Sequence, residues 1–132
     1  MIREQYHMRR AANGVDAWDI RKLLMQHGAD PVHDVALSDI AELDENWWFD
    51  IEGTPTPRAL AHHMEMVQQV DRSYPILLDA EGRLMDGMHR VMQALLAGDT
   101  TIRAIRLDTT PPPDFTNIAP GDLPYGESDD TQ

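Results

Sequence analysis

The chain has 132 residues, and its 23 acidic residues outnumber its 11 lysines and arginines, so the formal net charge is -12. A chain of this size can bury about two thirds of its unfolded surface as one domain, and its acidity argues against stand-alone binding to DNA or RNA. The absence of cysteine excludes disulfides, thiolate metal sites and thiol chemistry. Because the sequence has no long apolar run and no signal-like start, we expect a cytoplasmic protein without membrane contact.

The two ends of the chain differ in composition from the middle. Residues 1–14 carry three arginines and few apolar residues, which predicts an N-terminal arm or helix. Residues 108–132 contain six acidic residues, five of the nine prolines and no base. We therefore expect an acidic tail that is partly draped over the protein, disordered from about Gly126, and dispensable for folding. Residues 15–107 are the predicted domain between these ends.

The first half of this domain is predicted to contain two helices and one strand. Asp16 as an N-cap and Gly28 as a stop place the first helix over 16–27. Weak alternation of apolar residues predicts a strand over 32–37. Thr56, followed directly by a proline, begins a second helix that extends to about residue 71.

The second half of the domain has the clearest pattern. It predicts an apolar strand, a turn and a short return strand, then a helix that ends at Gly98, and a last alternating strand. These elements cover 74–79, 80–82, 83–85, 87–97 and 100–107 in turn. The fold class is therefore α+β, with a small mixed sheet of about four strands and helices packed around it.

Residues 86–90, Asp-Gly-Met-His-Arg, join the return strand to its helix, and we call them the box. Free N–H groups at a helix start attract anions, and Gly87 would let a phosphate approach closely. His89 and Arg90 add donors for phosphate oxygens. In the alternative interpretation, Asp86 caps the helix, Gly87 serves the turn, and His89 and Arg90 form a solvated face.

The box and its surroundings resemble the ParB-like/sulfiredoxin superfamily. The similar stretches are PILLD at 75–79, EG at 81–82, LMDGMHR at 84–90 and ALLAG at 94–98. The resemblance covers about residues 32–107 and is specific over 74–98. It implies a fold of the ParB/sulfiredoxin type that binds nucleotide phosphates, with ATP, ADP or CTP and Mg²⁺ as ligands. The phosphate contacts that it implies are Gly87, Met88, His89 and Arg90.

Two branches of this superfamily do not fit the sequence. Sulfiredoxins need a cysteine where this chain has Met88, and DNA-partitioning members carry a different box followed by a helix-turn-helix domain. The free-serine kinases are more similar in box chemistry, and they pair the box aspartate with an acid farther upstream. This similarity implies that Asp86 is a base or Mg²⁺ ligand. The upstream acid would be Glu42, Asp44 or Glu45.

Aromatic and histidine side chains near the predicted second helix have several interpretations. Trp47 and Trp48 could close one end of the core, form a wall on which a base stacks, or contact a protein partner. His62 and His63 are adjacent, so their side chains point about 100° apart on a helix and are poor joint metal ligands. We expect His63 to lie in a seam of the packed helices.

Three functional hypotheses remain open at this stage. The first is a nucleotide-phosphate-binding enzyme, a phosphotransferase or nucleotide hydrolase that uses the box. The second is a non-catalytic regulatory or protein-binding module on the same scaffold, with a protein partner bound through Trp47 and Trp48 or through the acidic tail. The third is a ParB-like nuclease, which the lack of a basic groove disfavours.

Overall fold

The computed structural model describes residues 5–12, 14–51 and 53–124. The chain divides into a first unit, formed by residues 1–29 and 111–132, and a second unit, formed by residues 30–110. The second unit thus begins at residue 30 rather than at residue 15, because the residues before it associate with the C-terminal segment. Within the described ranges, no helix is long and apolar enough to cross a bilayer.

The first unit begins with an antiparallel hairpin and a short helix. Strand β1 (Tyr6–Ala11) pairs with β2 (Gly14–Asp19), and helix α1 spans Ile20–His27. The helix predicted over 16–27 begins only at Ile20, and the helix considered for the N-terminal residues is wrong where the structure describes them, because Tyr6–Ala11 and Gly14–Asp19 pair as strands. The N-cap of α1 is Asp19 rather than Asp16, and its side chain accepts a hydrogen bond from the N–H of Lys22.

The segment that the sequence marks as a tail pairs with β2 in its described part. The N–H of Ala17 donates to the carbonyl of Phe115 over 2.9 Å, and the N–H of Ile118 donates to the carbonyl of Val15 over 3.0 Å. The indole of Trp18 donates to the carbonyl of Pro111, and Leu123 is buried. We therefore expect residues 111–124 to stabilise this unit, the reverse of the predicted dispensability. The predicted disorder from about residue 126 lies outside the described residues.

The second unit contains a mixed sheet of four strands, and the α+β class is confirmed. The strand order is β3-β6-β4-β5, in which β4 and β6 are parallel and the other pairs are antiparallel. The elements are β3 (His33–Ala36), α2 (Pro57–Gln69), β4 (Ile76–Leu78), β5 (Leu84–Asp86), α3 (Met88–Leu96) and β6 (Thr101–Arg106). Two short 3₁₀ turns, Leu37–Asp39 and Ala41–Asp44, follow β3.

Helix α3 joins the sheet to α2. Its buried side chains, Val91 and Ala94, belong to one apolar cluster with residues of the sheet such as Ile76 and Leu84. On another side of α3, the amide of Gln93 donates to the carbonyl of Val67 near the end of α2. Helix α3 is thereby fixed both to the sheet and to the neighbouring helix.

The start of α2 is as predicted. The hydroxyl of Thr56 accepts a hydrogen bond from the N–H of Ala59 over 3.1 Å, and Pro57 occupies the first turn. Such a capped start fixes the direction in which the chain enters the helix. The capped start of α2 therefore fixes the point at which the preceding loop, which carries Trp47 and Trp48, ends.

Candidate functional site

Gly87 sets the geometry of the box because only a residue without a side chain fits there. Its φ is 113°, in the left-handed region, and a Cβ atom would lie 2.7 Å from Cγ2 of Ile76 on β4. Gly87 is also the N-cap of α3, which begins at Met88, and no side chain caps this helix. The interpretation of Asp86 as the capping residue is therefore wrong, since the turn into the helix moves the cap one residue onward.

Arg90 is bound to protein groups on three sides. It donates to Oδ2 of Asp86 over 2.9 Å, and to the carbonyls of Tyr74 and Pro75 over 3.1 and 3.0 Å. The side chains of Arg90 and Asp86 are only 15% and 16% exposed. The interpretation of Arg90 as part of a solvated face is therefore wrong. Arg90 connects the first turn of α3 to the segment that enters β4.

Asp86 lies in a poorly hydrated position beside this arginine. Burial raises the pKa of Asp86, and the positive charge and hydrogen bond of Arg90 oppose that rise. Arg90 thus favours the ionised form of this carboxylate, against the effect of burial. Within the described ranges, no three histidine or acidic side chains are placed to hold a metal ion.

His89, the fourth residue of the box, forms a stacked group with two side chains from elsewhere. Its Nε2 lies 2.9 Å from Nδ1 of His63 on α2. The indole of Trp48 is nearly parallel to both rings, with centroid distances of 3.8 Å to His63 and 4.8 Å to His89. We call these three residues the imidazole stack. The predicted position of His63 in a helix seam is confirmed.

The imidazole stack disfavours protonation of its histidines. Burial, followed by the neighbouring His62, lowers the pKa of His63. Burial, followed by His63, His62 and Arg90, lowers the pKa of His89 to about 4. Both rings are therefore neutral near pH 7, where one facing nitrogen donates and the other accepts.

The three upstream acids are placed differently from one another. Glu42 is buried, and its Oε2 lies 2.6 Å from Nε of Arg83 without the alignment of a hydrogen bond. Glu45 accepts a hydrogen bond over 2.8 Å from Nη2 of the same arginine. Asp44 is exposed. Arg83 thus holds two of the candidate acids, whereas Asp86 is held by Arg90.

The sequence did not indicate the contact of His63 with His89. The two residues are 26 positions apart, and neither lies in a spacing that is typical of a joint site. Only the packing of α2 beside α3 brings them together. The box itself could be found because it is contiguous.

Comparison with known proteins identifies no protein that is similar to this chain. The chain matches no protein-family model, no curated protein and no solved structure. The resemblance to the ParB-like/sulfiredoxin superfamily therefore depends on the box and on the strands and helix around it.

Proposed function

We propose that the second unit binds a nucleotide through its phosphate groups, with the box as the phosphate site, on a ParB-like scaffold. The N–H groups of the first turn of α3 have no acceptor within the helix, and they carry the positive end of the helix dipole. At this point Gly87, Met88 and His89 supply backbone groups for the phosphate, and His89 also supplies its side chain. The nucleotides proposed are ATP, ADP or CTP, with Mg²⁺ bound to the ligand's own phosphates.

The observation that carries the proposal is the position of Trp48. Its indole lies 4.8 Å from the His89 ring, so an aromatic plane stands directly beside the start of α3. A nucleotide has a charged phosphate end and a flat base. N–H donors suit the phosphates, and an aromatic surface beside them suits the base. Trp48 is half-buried, which leaves part of its surface for a base.

Arg90 has a different part in this proposal from the one that the resemblance implies. It holds Asp86 and the carbonyl groups before β4, and so it keeps the box in shape. Direct contact with a phosphate would require Arg90 to exchange Asp86 for the ligand. We therefore assign the phosphate contacts to the backbone and to Nδ1 of His89, since its Nε2 faces His63, and we treat Arg90 as a positioning residue.

The described contacts favour binding over turnover. A phosphotransferase or hydrolase needs a carboxylate that is available as a base or metal ligand. Asp86 is paired with Arg90, and Glu42 and Glu45 are paired with Arg83. Asp44, the remaining candidate acid, is exposed, and no described contact holds it at the box. We therefore propose the regulatory, non-catalytic form of the nucleotide-binding module as the principal function. A nuclease is disfavoured by the net charge of -12.

A protein partner bound through Trp47 and Trp48 is the second candidate. Both rings are half-buried and pack against the core cluster of the second unit. Aromatic residues that anchor a partner are typically presented at the centre of an exposed patch. The packing against the core therefore favours the nucleotide over the protein as occupant of this surface. Three acidic residues of the tail, Asp108, Asp114 and Asp122, lie within the described ranges, and a partner of the other three would contact residues outside them.

Isothermal titration calorimetry of the full chain with ATP, ADP and CTP, each with and without Mg²⁺, tests the proposal. We expect saturable binding of at least one nucleotide, competition by pyrophosphate, and no binding of the matching nucleoside. His89→Ala should weaken binding about tenfold, or about 1.4 kcal/mol, the scale of one good hydrogen bond. The control His62→Ala, outside the box, should bind as the wild type does. No heat with any of the three nucleotides would disprove the proposal.

A further inference from the structure

The hydrogen bond inside the imidazole stack limits the number of protons that its histidines can carry. At 2.9 Å, one of the two facing nitrogens donates and the other accepts. A donor and an acceptor are both present when the rings are neutral, and also when one extra proton is bound. When both rings are protonated, each facing nitrogen carries a hydrogen, and two positive charges lie side by side. The contact between His63 and His89 then becomes repulsive.

The surroundings of the stack do not neutralise two imidazolium ions. In the part of the chain that the structure describes, neither His63 nor His89 forms an ion pair with a carboxylate. The acids on nearby elements are engaged or exposed, since Asp86 and Glu45 are paired with arginines. Besides the pair itself, the charged or titratable groups on the adjoining elements are Arg58, His62 and Glu65 on α2, Arg90 on α3, Asp86 on β5, and Glu45 and Asp50 in the loop. Those that influence His89 most, namely His63, His62 and Arg90, all oppose its protonation.

The loop that carries Trp48 is attached mainly by side chains. Residues 45–51 form neither helix nor strand, so no ladder of hydrogen bonds holds them. Trp48 stacks on both imidazoles, and Phe49 meets the ring of His63 edge-on at 5.8 Å. Loss of the histidine pair would remove the two rings on which Trp48 stacks and would leave this loop attached by the packing of Trp47 and Trp48 on the apolar cluster and by the Glu45–Arg83 ion pair.

We propose that the imidazole stack is an acid-operated latch, in which a second proton on the His63–His89 pair releases residues 47–49 from α2 and α3 while the sheet and helices persist. The apolar cluster of the second unit includes β4, β5, β6 and α3, and its stability does not depend on the charge of either histidine. The latch does not require nucleotide binding. Its consequence is that the surface beside the box opens in acid.

Nuclear magnetic resonance of the full chain tests the latch without altering it. The indole N–H resonances of the three tryptophans report separately in a ¹⁵N-labelled sample, and Trp48→Phe assigns the relevant one. As the pH falls from about 6.5, the ordinary histidine pKa, to below the His89 pKa of about 4, we expect the Trp48 resonance to move to the position of a solvent-exposed indole. Trp18, which belongs to the first unit, should not move. Backbone resonances of β4 and α3 should also persist.

Variants of the pair identify the cause of any movement. His63→Gln and His89→Gln each remove one titrating ring, so the Trp48 resonance should stay in place over the same range. The control His33→Gln, an exposed histidine on β3, should retain the wild-type transition. An unchanged transition in both pair variants would overturn the latch. Movement of Trp48 only together with loss of all folded resonances would overturn it as well.

A second measurement needs no variant, and so it remains valid if a glutamine variant fails to fold. The ring C–H resonances of the six histidines can be followed in the wild-type chain. The latch requires two of them to titrate in separate steps, both below the ordinary histidine pKa, with the later step coinciding with the Trp48 movement. Titration of all six near the ordinary value would overturn the proposal.

Discussion

Arg90 contributes to stability through contacts that a smaller side chain cannot replace. Arg90→Ala would leave the carboxylate of Asp86 and the carbonyls of Tyr74 and Pro75 without their donor. Because breaking a partly buried ion pair strands the remaining charge, we expect a loss of about 2–4 kcal/mol in the free energy of unfolding. Urea denaturation measures this loss. Asp86→Asn retains an acceptor for Arg90, and we expect it to cost less than about 1 kcal/mol. Equal stabilities of the two variants would contradict this assignment.

Gly87 offers a test with a matched control elsewhere in the chain. Gly87→Ala combines a φ of 113° with a Cβ that would lie 2.7 Å from Ile76, whereas Gly98→Ala has a φ of 80° and no heavy atom within 4 Å. We expect the Gly98 variant to lose about 1 kcal/mol from backbone strain alone. The Gly87 variant should lose about 2 kcal/mol more, because Ile76 must shift. Thermal denaturation of the two variants measures both losses in stability. A loss at Gly87 that is no larger than the loss at Gly98 would show that β4 adapts freely.

The histidines of the imidazole stack make stability depend on pH. In the unfolded chain both titrate near the ordinary pKa of about 6.5, whereas burial lowers the pKa of His89 to about 4 in the folded protein. Between these values the unfolded state binds more protons, so the free energy of unfolding falls as the pH falls. We expect this decrease to be smaller in His89→Gln than in His62→Gln. Urea denaturation at several pH values gives the slopes, and equal slopes would contradict the expectation.

At the scale of elements, the C-terminal segment is expected to act as part of the first unit. A chain that ends at Pro113 lacks the hydrogen bonds of Phe115 and Ile118 with β2, as well as the buried Leu123. Loss of one buried leucine side chain alone costs about 2–5 kcal/mol. We expect the free energy of unfolding of this truncated chain to be several kcal/mol lower. The near-ultraviolet circular dichroism of Trp18 can be used to measure it. A chain that ends at Pro124 retains every described contact and is the control, and equal stability of the two would show that the segment is dispensable.

The elements that could be predicted from the sequence are those with signals at their own ends. Thr56 with the following proline, Gly87 and Gly98 mark helix ends locally, and both helices of the second unit were placed within two residues. Strand β2 is not predicted, although its main partner, β1, directly precedes it in the chain; its further bridge to Phe115 joins segments about a hundred positions apart. The apolar residues of 15–20 fit a helix nearly as well as a strand, and only the partner decides between them.

The same distinction applies to the candidate site. The contiguous box was found, because its residues share one turn. The arginine partners of Glu42 and Asp86, and the pairing of His63 with His89, depend on how helices and turns pack. No spacing within the sequence encodes those contacts. Sequence reasoning therefore selects the candidate residues of the box but not the state of their charged groups.

At the scale of the whole molecule, the net charge of -12 predicts weak association with duplex DNA. Phosphate groups repel an acidic protein outside any single anion site, so we expect non-specific affinity weaker than a dissociation constant of ~10⁻⁴ M at physiological salt. Fluorescence anisotropy with a labelled duplex measures it. Binding in the micromolar range that weakens steeply with added salt would contradict the prediction and favour the nuclease hypothesis.

The pairing of β6 has a consequence for folding during synthesis. β3 and β4 do not pair with each other, because β6 lies between them as the antiparallel partner of β3 and the parallel partner of β4. A chain that emerges from the ribosome from its N-terminus cannot complete this sheet until Arg106 has been released. The β2 pairing with Phe115 waits still longer. Both units are therefore expected to remain incomplete until nearly the whole described chain is available, because these non-local pairings must wait for their C-terminal partners.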